Sequence, residues 1–198
     1  MALLVLGLFV FFAIHLVPTR PAKRDPLRDR AGAIGYQGLF SVVSLIGLVL
    51  IVMGYGQLQG MPRLNPELWS PPTWTRHVAF LLMLPAMILL ASAYIPSRIR
   101  TAVGHPMLAA IKVWALAHLL ANGDLASLLL FGSFLAFAIY DRISVKHRAA
   151  LGPLGARAGS TTGDVMAIVA GLAAYAFMLV WGHAKLIGVP LLAVKFAP

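Results

Sequence analysis

Six apolar runs, separated by short segments that carry nearly all of the charge, constrain this chain more than anything else in it. They are Ala2–Val17, Leu39–Tyr55, Val78–Ile95, Met107–Ala121, Leu125–Tyr140 and Val165–Trp181, the last continuing through His183 and Lys185 towards Pro190. A soluble domain carries about 25% charged residues. Here the figure is 11%, with 60% hydrophobic residues and a mean hydropathy of +0.87 over 198 residues. Such a chain cannot cover its surface with polar groups, and its hydrophobicity excludes disorder. The expected fold class is all-α, a polytopic membrane helix bundle of about six transmembrane segments forming a single domain over 1–198.

Helix geometry sharpens the expectation. Runs of this length rise roughly 22–27 Å at about 1.5 Å per residue, slightly less than a hydrocarbon core of ~30 Å. Boundary residues must extend the helices, or some helices span incompletely. The fourth run is the weakest. It carries Lys112 and His118, and with the fifth it can alternatively form a re-entrant hairpin buried in protein.

The net charge of +10 comes from 16 Lys and Arg against 6 Asp and Glu. No nucleic-acid-binding motif accompanies it, so no nucleic-acid partner is expected. The basic residues lie between apolar runs, where they suit anionic membrane lipids and topology control. The segments after the first, third and fifth runs hold eleven Lys and Arg, from Arg20 to Arg157, whereas the alternate segments hold only Arg63 and Arg76. The basic segments are therefore expected in the cytoplasm and both termini outside it. The first run reads as a retained helix rather than a signal peptide, since no basic residue precedes it and no small-x-small cleavage site follows. Gln57–Arg76, with four prolines and with Trp69 and Trp74, reads as an ordered external loop at headgroup level. Leu151–Gly163 reads as a flexible cytoplasmic connection. Small residues at close spacing (Gly35, Gly38 and Ser41; Gly132 and Ala136; Ala167 and Gly171) are expected to let helices pack closely.

The absence of Cys excludes a disulfide framework, a thiolate metal site and a Cys nucleophile. No GxSxG, HExxH or Walker loop occurs, and six acids are too few for a carboxylate cage. Ionisable groups at membrane depth need a partner or a task. Trp114, His118 and Asn122 are four apart and share one helix face. That face can hold an aromatic against a planar cofactor, or His118 can simply hydrogen-bond a neighbouring helix. A neutral imidazole offers one lone pair to haem iron. His15 ends the first run and reads equally as an interfacial residue. His105 enters the fourth and reads equally as a cap. His77 and His183 lie near water in no arrangement that suggests chemistry, and His147 sits in a basic loop. Lys112 can pair with Asp124 or snorkel to the cytoplasmic headgroups, and the second is expected because Lys112 lies near the cytoplasmic end of its helix and Asp124 near the other. Asp124, with Asn122, is placed to cap the fifth helix.

Gly104-His105-Pro106-Met107, the run from Trp114 through His118 and Asn122 to Ser127, Tyr36 to Gly47, Phe131-Gly132 and Tyr140-Asp141-Arg142 together resemble the NnrU family over nearly the whole chain. The family comprises polytopic membrane proteins; its bacterial members are linked to nitrite and nitric oxide reduction. Its plant relatives include 15-cis-zeta-carotene isomerase, in which two His hold haem b. The resemblance implies a bacterial inner-membrane location, haem b as cofactor, and His118 and His15 as its iron ligands, with Trp114 beside them. The isomerase has a Cys after the Trp; here that position is Ala115. The expected topology places His15 near the cytoplasmic end of its helix and His118 near the outer end, about 20 Å away over ~13 residues of helix. Either the re-entrant hairpin brings His118 deep into the protein, or the second ligand differs, His105 being level with His15.

Two functions follow from the resemblance. One is a haem enzyme performing a redox or isomerase-type reaction on a lipophilic small molecule. The other is a non-enzymatic accessory or sensor protein in nitrite and nitric oxide (denitrification) metabolism. A membrane methyltransferase is a weaker third, since the chain lacks a cofactor-binding segment near its C-terminal end.

Overall fold

The computed structural model describes residues 1–148 and 150–192. Their regular structure is helical, and beside the helices they contain only two isolated β-bridges, Glu67–Asp124 and Ser97–Ser160. Among the described residues, four helices are long and apolar enough to cross a membrane: Pro21–Gln59, Thr73–Ser92, Leu125–His147 and the continuous stretch Thr161–Ile187. Two shorter apolar helices, Ala2–Leu16 and Pro106–Ala121, complete the six expected runs. Large side chains point outward along them, among them Phe9 (70% exposed), Leu81 (71%) and Ile34 (86%). In water that surface would be untenable, whereas lipid tails solvate it without cost.

The chain divides into two compact units, residues 1–69 with 124–133 and residues 70–123 with 134–198. The first unit contains α1 (Ala2–Leu16) and α2 (Pro21–Gln59). Glycines set how closely these two pack. A Cβ on Gly7 would lie 2.6 Å from the Ile51 nitrogen, one on Gly47 2.8 Å from the Phe11 nitrogen, and one on Gly54 would enter the backbone of Leu4. Gly38 has nothing within 4 Å of such a Cβ and Gly35 meets only the Ala31 Cβ of its own helix, so the close approach expected at these two glycines is found at Gly47 and Gly54 instead.

The basic stretch expected as a loop is helical. Pro21 occupies the first turn of α2, where its missing N–H costs nothing, and Ala, Lys and Arg continue the helix. The break comes at Gly32, whose φ of 69° and ψ of 164° only glycine adopts readily. A short basic arm therefore precedes the apolar span, joined to it by a hinge.

The second unit contains α3 (Thr73–Ser92), α4 (Arg98–Val103), α5 (Pro106–Ala121), α7 (Thr161–Phe177), a π-helical turn (Met178–Gly182) and α8 (His183–Ile187). The helix α6 (Leu125–His147) contributes its first turns to the first unit and the rest to the second. In the second unit α3 packs against both α5 and α7. Gly171 permits the latter, since a Cβ there would lie 2.5 Å from the Ile88 Cα.

The segment 151–163, expected to be a flexible connection, is tied down instead. Arg100 is 9% exposed and donates from Nη1 to the Gly155 carbonyl at 3.0 Å and from Nη2 to the Arg157 carbonyl. Ser160 N donates to the Pro96 carbonyl at 3.2 Å, and Ile99 N to Asp164 Oδ1 at 3.0 Å. A buried guanidinium needs acceptors, and main-chain carbonyls supply them to both terminal nitrogens, while Nε has no hydrogen-bond partner among the described residues.

Candidate functional site

In the first unit, Asp124 closes the start of α6 as expected of a capping residue. Its Oδ1 accepts from Ser127 N at 2.9 Å, and its Oδ2 accepts from Ser127 Oγ at 2.6 Å. Asn65, from the proline-rich segment, completes the arrangement. Its Nδ2 donates to Asp124 Oδ1 at 2.9 Å, and its Oδ1 accepts from Ala126 N at 2.7 Å. Because Ser127 Oγ spends its proton on Asp124, the Tyr55 hydroxyl is the donor in the 2.9 Å contact with Ser127. Burial opposes ionisation of Asp124, but the Ser127 hydroxyl and amide and the Asn65 amide outweigh it and hold the carboxyl below its ordinary value. All of these groups satisfy one another, which marks a structural clasp. The sequence reading found Asp124 but missed Asn65, Tyr55 and Ser127; only the local pair of Asp124 with Ser127, three residues on, left a signal.

His15 sits in the last turn of α1 and its Nδ1 lies 2.7 Å from the Phe11 carbonyl. The Phe11 ring stacks on the imidazole at 4.0 Å, and Phe40 approaches at 5.0 Å. A small apolar cavity of about 270 Å³ lies nearby, lined by Ile14, Val17, Leu27, Tyr36 and Phe40, with Arg30.

The second unit holds the remaining candidates. His105 is the N-cap residue of α5 and makes no side-chain capping bond. Burial lowers the pKa of its imidazole, Arg142 lowers it further, Asp141 opposes them, and Arg148 adds to the lowering. Asp141 and Arg148 are themselves paired at 3.1 Å. His105 thus sits in a predominantly cationic corner.

His118 is one turn from the end of α5. Its Nδ1 lies 2.8 Å from the Trp114 carbonyl, so Nδ1 carries the proton and the lone pair falls on Nε2. The Trp114 ring stands 5.2 Å from the imidazole and meets Phe134 edge-on at 5.5 Å. Asn122 Nδ2 donates to the His118 carbonyl at 2.8 Å, closing the helix end. Trp114, His118 and Asn122 therefore act on one face, as their spacing implies. Ala115, where the isomerase carries Cys, is fully buried.

The residue that sequence reasoning set aside is His183. Its ring centre lies 6.4 Å from that of His118, with the planes 18° apart, and its Nδ1 lies 2.7 Å from the Val189 carbonyl. The two are 65 residues apart in sequence, and the π-helical turn directly before His183 resets the helix register. Such turns leave no trace in hydropathy and recur at functional sites. Of the sequence candidates, the second unit brings together Trp114 and His118 and adds His183, while His15 belongs to the first unit. Among the described residues, no group of three or more His, Asp or Glu converges to hold a metal ion.

Neither a curated protein nor a solved structure matches this chain. A family model does: that described as NnrU protein matches residues 3–191. With nearly the whole length covered, the chain belongs to the NnrU family.

Proposed function

We propose that this protein is an integral membrane haem protein of the bacterial inner membrane, in which the His118 imidazole would hold a b-type haem. The observation that carries the reading is the anchored His118. Its Nδ1–H is committed to a main-chain carbonyl, which orients the ring and leaves the lone pair on Nε2. The donor set fits a porphyrin better than a bare ion. A structural zinc site needs four ligands, and the described residues offer no cluster of three. A metal carried by a porphyrin would ask far fewer imidazoles of the chain than a bare ion. Trp114 adds a flat apolar wall beside the imidazole.

When bound, the haem would supply one-electron chemistry or electron donation into a conjugated system. The chain's part is to orient the imidazole, keep water away with apolar helices, and admit a lipophilic substrate from the bilayer. With six crossings, α1 and α5 being the short members, and the basic segments in the cytoplasm, both termini would lie outside.

The test is an absorption spectrum of the full chain purified in detergent, as isolated and after haem addition. A Soret band that is present in the wild type and lost or shifted in His118→Ala supports the reading. No Soret band under either condition overturns it. A deletion strain then separates the activities. Altered polyene isomers point to catalysis, and altered nitrite or nitric oxide turnover points to an accessory role.

A further inference from the structure

We infer that the cavity between the basic arm of α2 and the end of α1 binds one anionic phospholipid of the surrounding membrane. An acyl chain enters the cavity, and Arg30 and the Tyr36 hydroxyl hold the phosphate. The inference lies wholly within the first unit and does not rest on the haem reading.

Four observations carry it. First, the cavity is shaped for a chain. Leu27, Arg30 and Ala31 are three or four residues apart and share one face of the arm. They enclose the space together with Ile14 from the last turn of α1 and with Tyr36 and Phe40 from the start of the apolar span. At about 270 Å³ it falls below the roughly 300 Å³ at which pockets begin to enclose drug-sized molecules, so it suits one narrow apolar chain. Second, the Tyr36 hydroxyl has an unmet need. Its oxygen is buried without a hydrogen-bond partner among the described residues. Leaving such a group unpaired is costly, and a phosphate oxygen is an acceptor for it. The charges that act on this hydroxyl are Arg24 and Asp25, so it faces the arm. Third, the arm selects the sign of the headgroup. Arg20, Lys23, Arg24, Arg28 and Arg30 stand against Asp25 and Asp29, and Arg24 is already paired with Asp25 at 2.7 Å. The remaining excess of positive charge favours a headgroup with net negative charge and repels the ammonium of a zwitterionic one. Fourth, the backbone brings the two donors together. Gly32, at φ 69° and ψ 164°, breaks the helix between Arg30 and Tyr36, yet both line one cavity. Leu27, 47% exposed, gives the charged arm an apolar contact with lipid.

The site is tested by native mass spectrometry of the delipidated full chain in detergent. The probes are phosphatidylglycerol, phosphatidylethanolamine, palmitate and inorganic phosphate, titrated separately and in competition. The wild type is expected to take up one phosphatidylglycerol in preference to the other three. Tyr36→Phe keeps the ring, and with it the fold, and is expected to weaken that first binding step about three- to tenfold. Arg30→Gln is expected to weaken it about tenfold or more, since a charge-assisted bond is lost. Arg28→Gln removes the same charge from the arm outside the cavity lining, and is expected to weaken it only about twofold. Matching thermal unfolding midpoints without lipid show that the variants fold alike. Equal losses in Arg28→Gln and Arg30→Gln would reveal diffuse attraction to the arm and overturn the site, as would a Tyr36→Phe that binds like the wild type. Equal uptake of phosphatidylethanolamine, tighter uptake of palmitate, displacement by inorganic phosphate, or a lipid-free dimer that takes up no phosphatidylglycerol also overturns it.

Discussion

The imidazoles of His118 and His183 lie 6.4 Å apart with their planes within 18° of parallel, although one ends a short apolar helix and the other follows a π-helical turn 65 residues later. Each is held from behind by a main-chain carbonyl.

The packing of α1 against α2 depends on the absence of side chains at Gly7, Gly47 and Gly54. Gly54→Val is expected to destabilise the protein by about 1–3 kcal/mol or more through overpacking, because the new Cβ would run into the backbone of Leu3 and Leu4. Gly38→Ala is expected to be neutral or slightly stabilising, since nothing lies within 4 Å of its Cβ and Ala favours helix. Thermal unfolding of both variants in the same detergent checks the contrast.

The clasp at the start of α6 has a definite pH signature. Asp124 has a folded pKa below its ordinary value because its hydrogen bonds favour the carboxylate. The stability it contributes is therefore fully present at neutral pH and is lost as pH falls through the folded value. Asp124→Asn is expected to lower the melting temperature at pH 7, with the gap to wild type closing below about pH 4. Asn65→Ala should cost about 1–3 kcal/mol, since it leaves Ala126 N without its acceptor and Asp124 Oδ1 without one of its donors. A gap that does not change with pH would show that the carboxylate charge is not what the clasp uses.

Arg100 governs access to the segment 151–159. Arg100→Gln removes charge-assisted bonds worth about 1.5–3 kcal/mol to the Gly155 and Arg157 carbonyls. Where opening precedes cleavage, that corresponds to roughly ten- to hundredfold faster proteolysis. Limited trypsin digestion after Arg157 provides the measurement, and equal cleavage rates would contradict the pinning.

Sidedness can be read directly, because the chain has no Cys. Leu64→Cys and Leu151→Cys place single thiols at positions 55% and 67% exposed. In intact cells an impermeant maleimide is expected to label position 64 at once and position 151 only after permeabilisation. The reverse pattern would invert the proposed topology.

A large part of this protein is legible residue by residue. Uninterrupted apolar runs announce helices that lipid can solvate, since every backbone group is satisfied within the helix itself. The Trp114–His118–Asn122 face follows from a spacing of four, and the Asp124 cap from an acid just before an apolar run. Those features are local, and hydropathy or helical period determines them. The helical arm over 21–31 was also local, but its charge disguised it as a loop. What folding alone decided involves partners far apart in sequence: Asn65 reaching Asp124 across 59 residues, Arg100 seizing the carbonyls of 155 and 157, and Gly54 rather than Gly38 marking the α1–α2 contact. The meeting of His118 with His183 is the sharpest case. No pattern in the chain relates them; the packing of α5 and α7 on α3 and one π-helical turn after α7 bring their rings together, because helix rotation depends on tertiary contacts that residue order alone does not express.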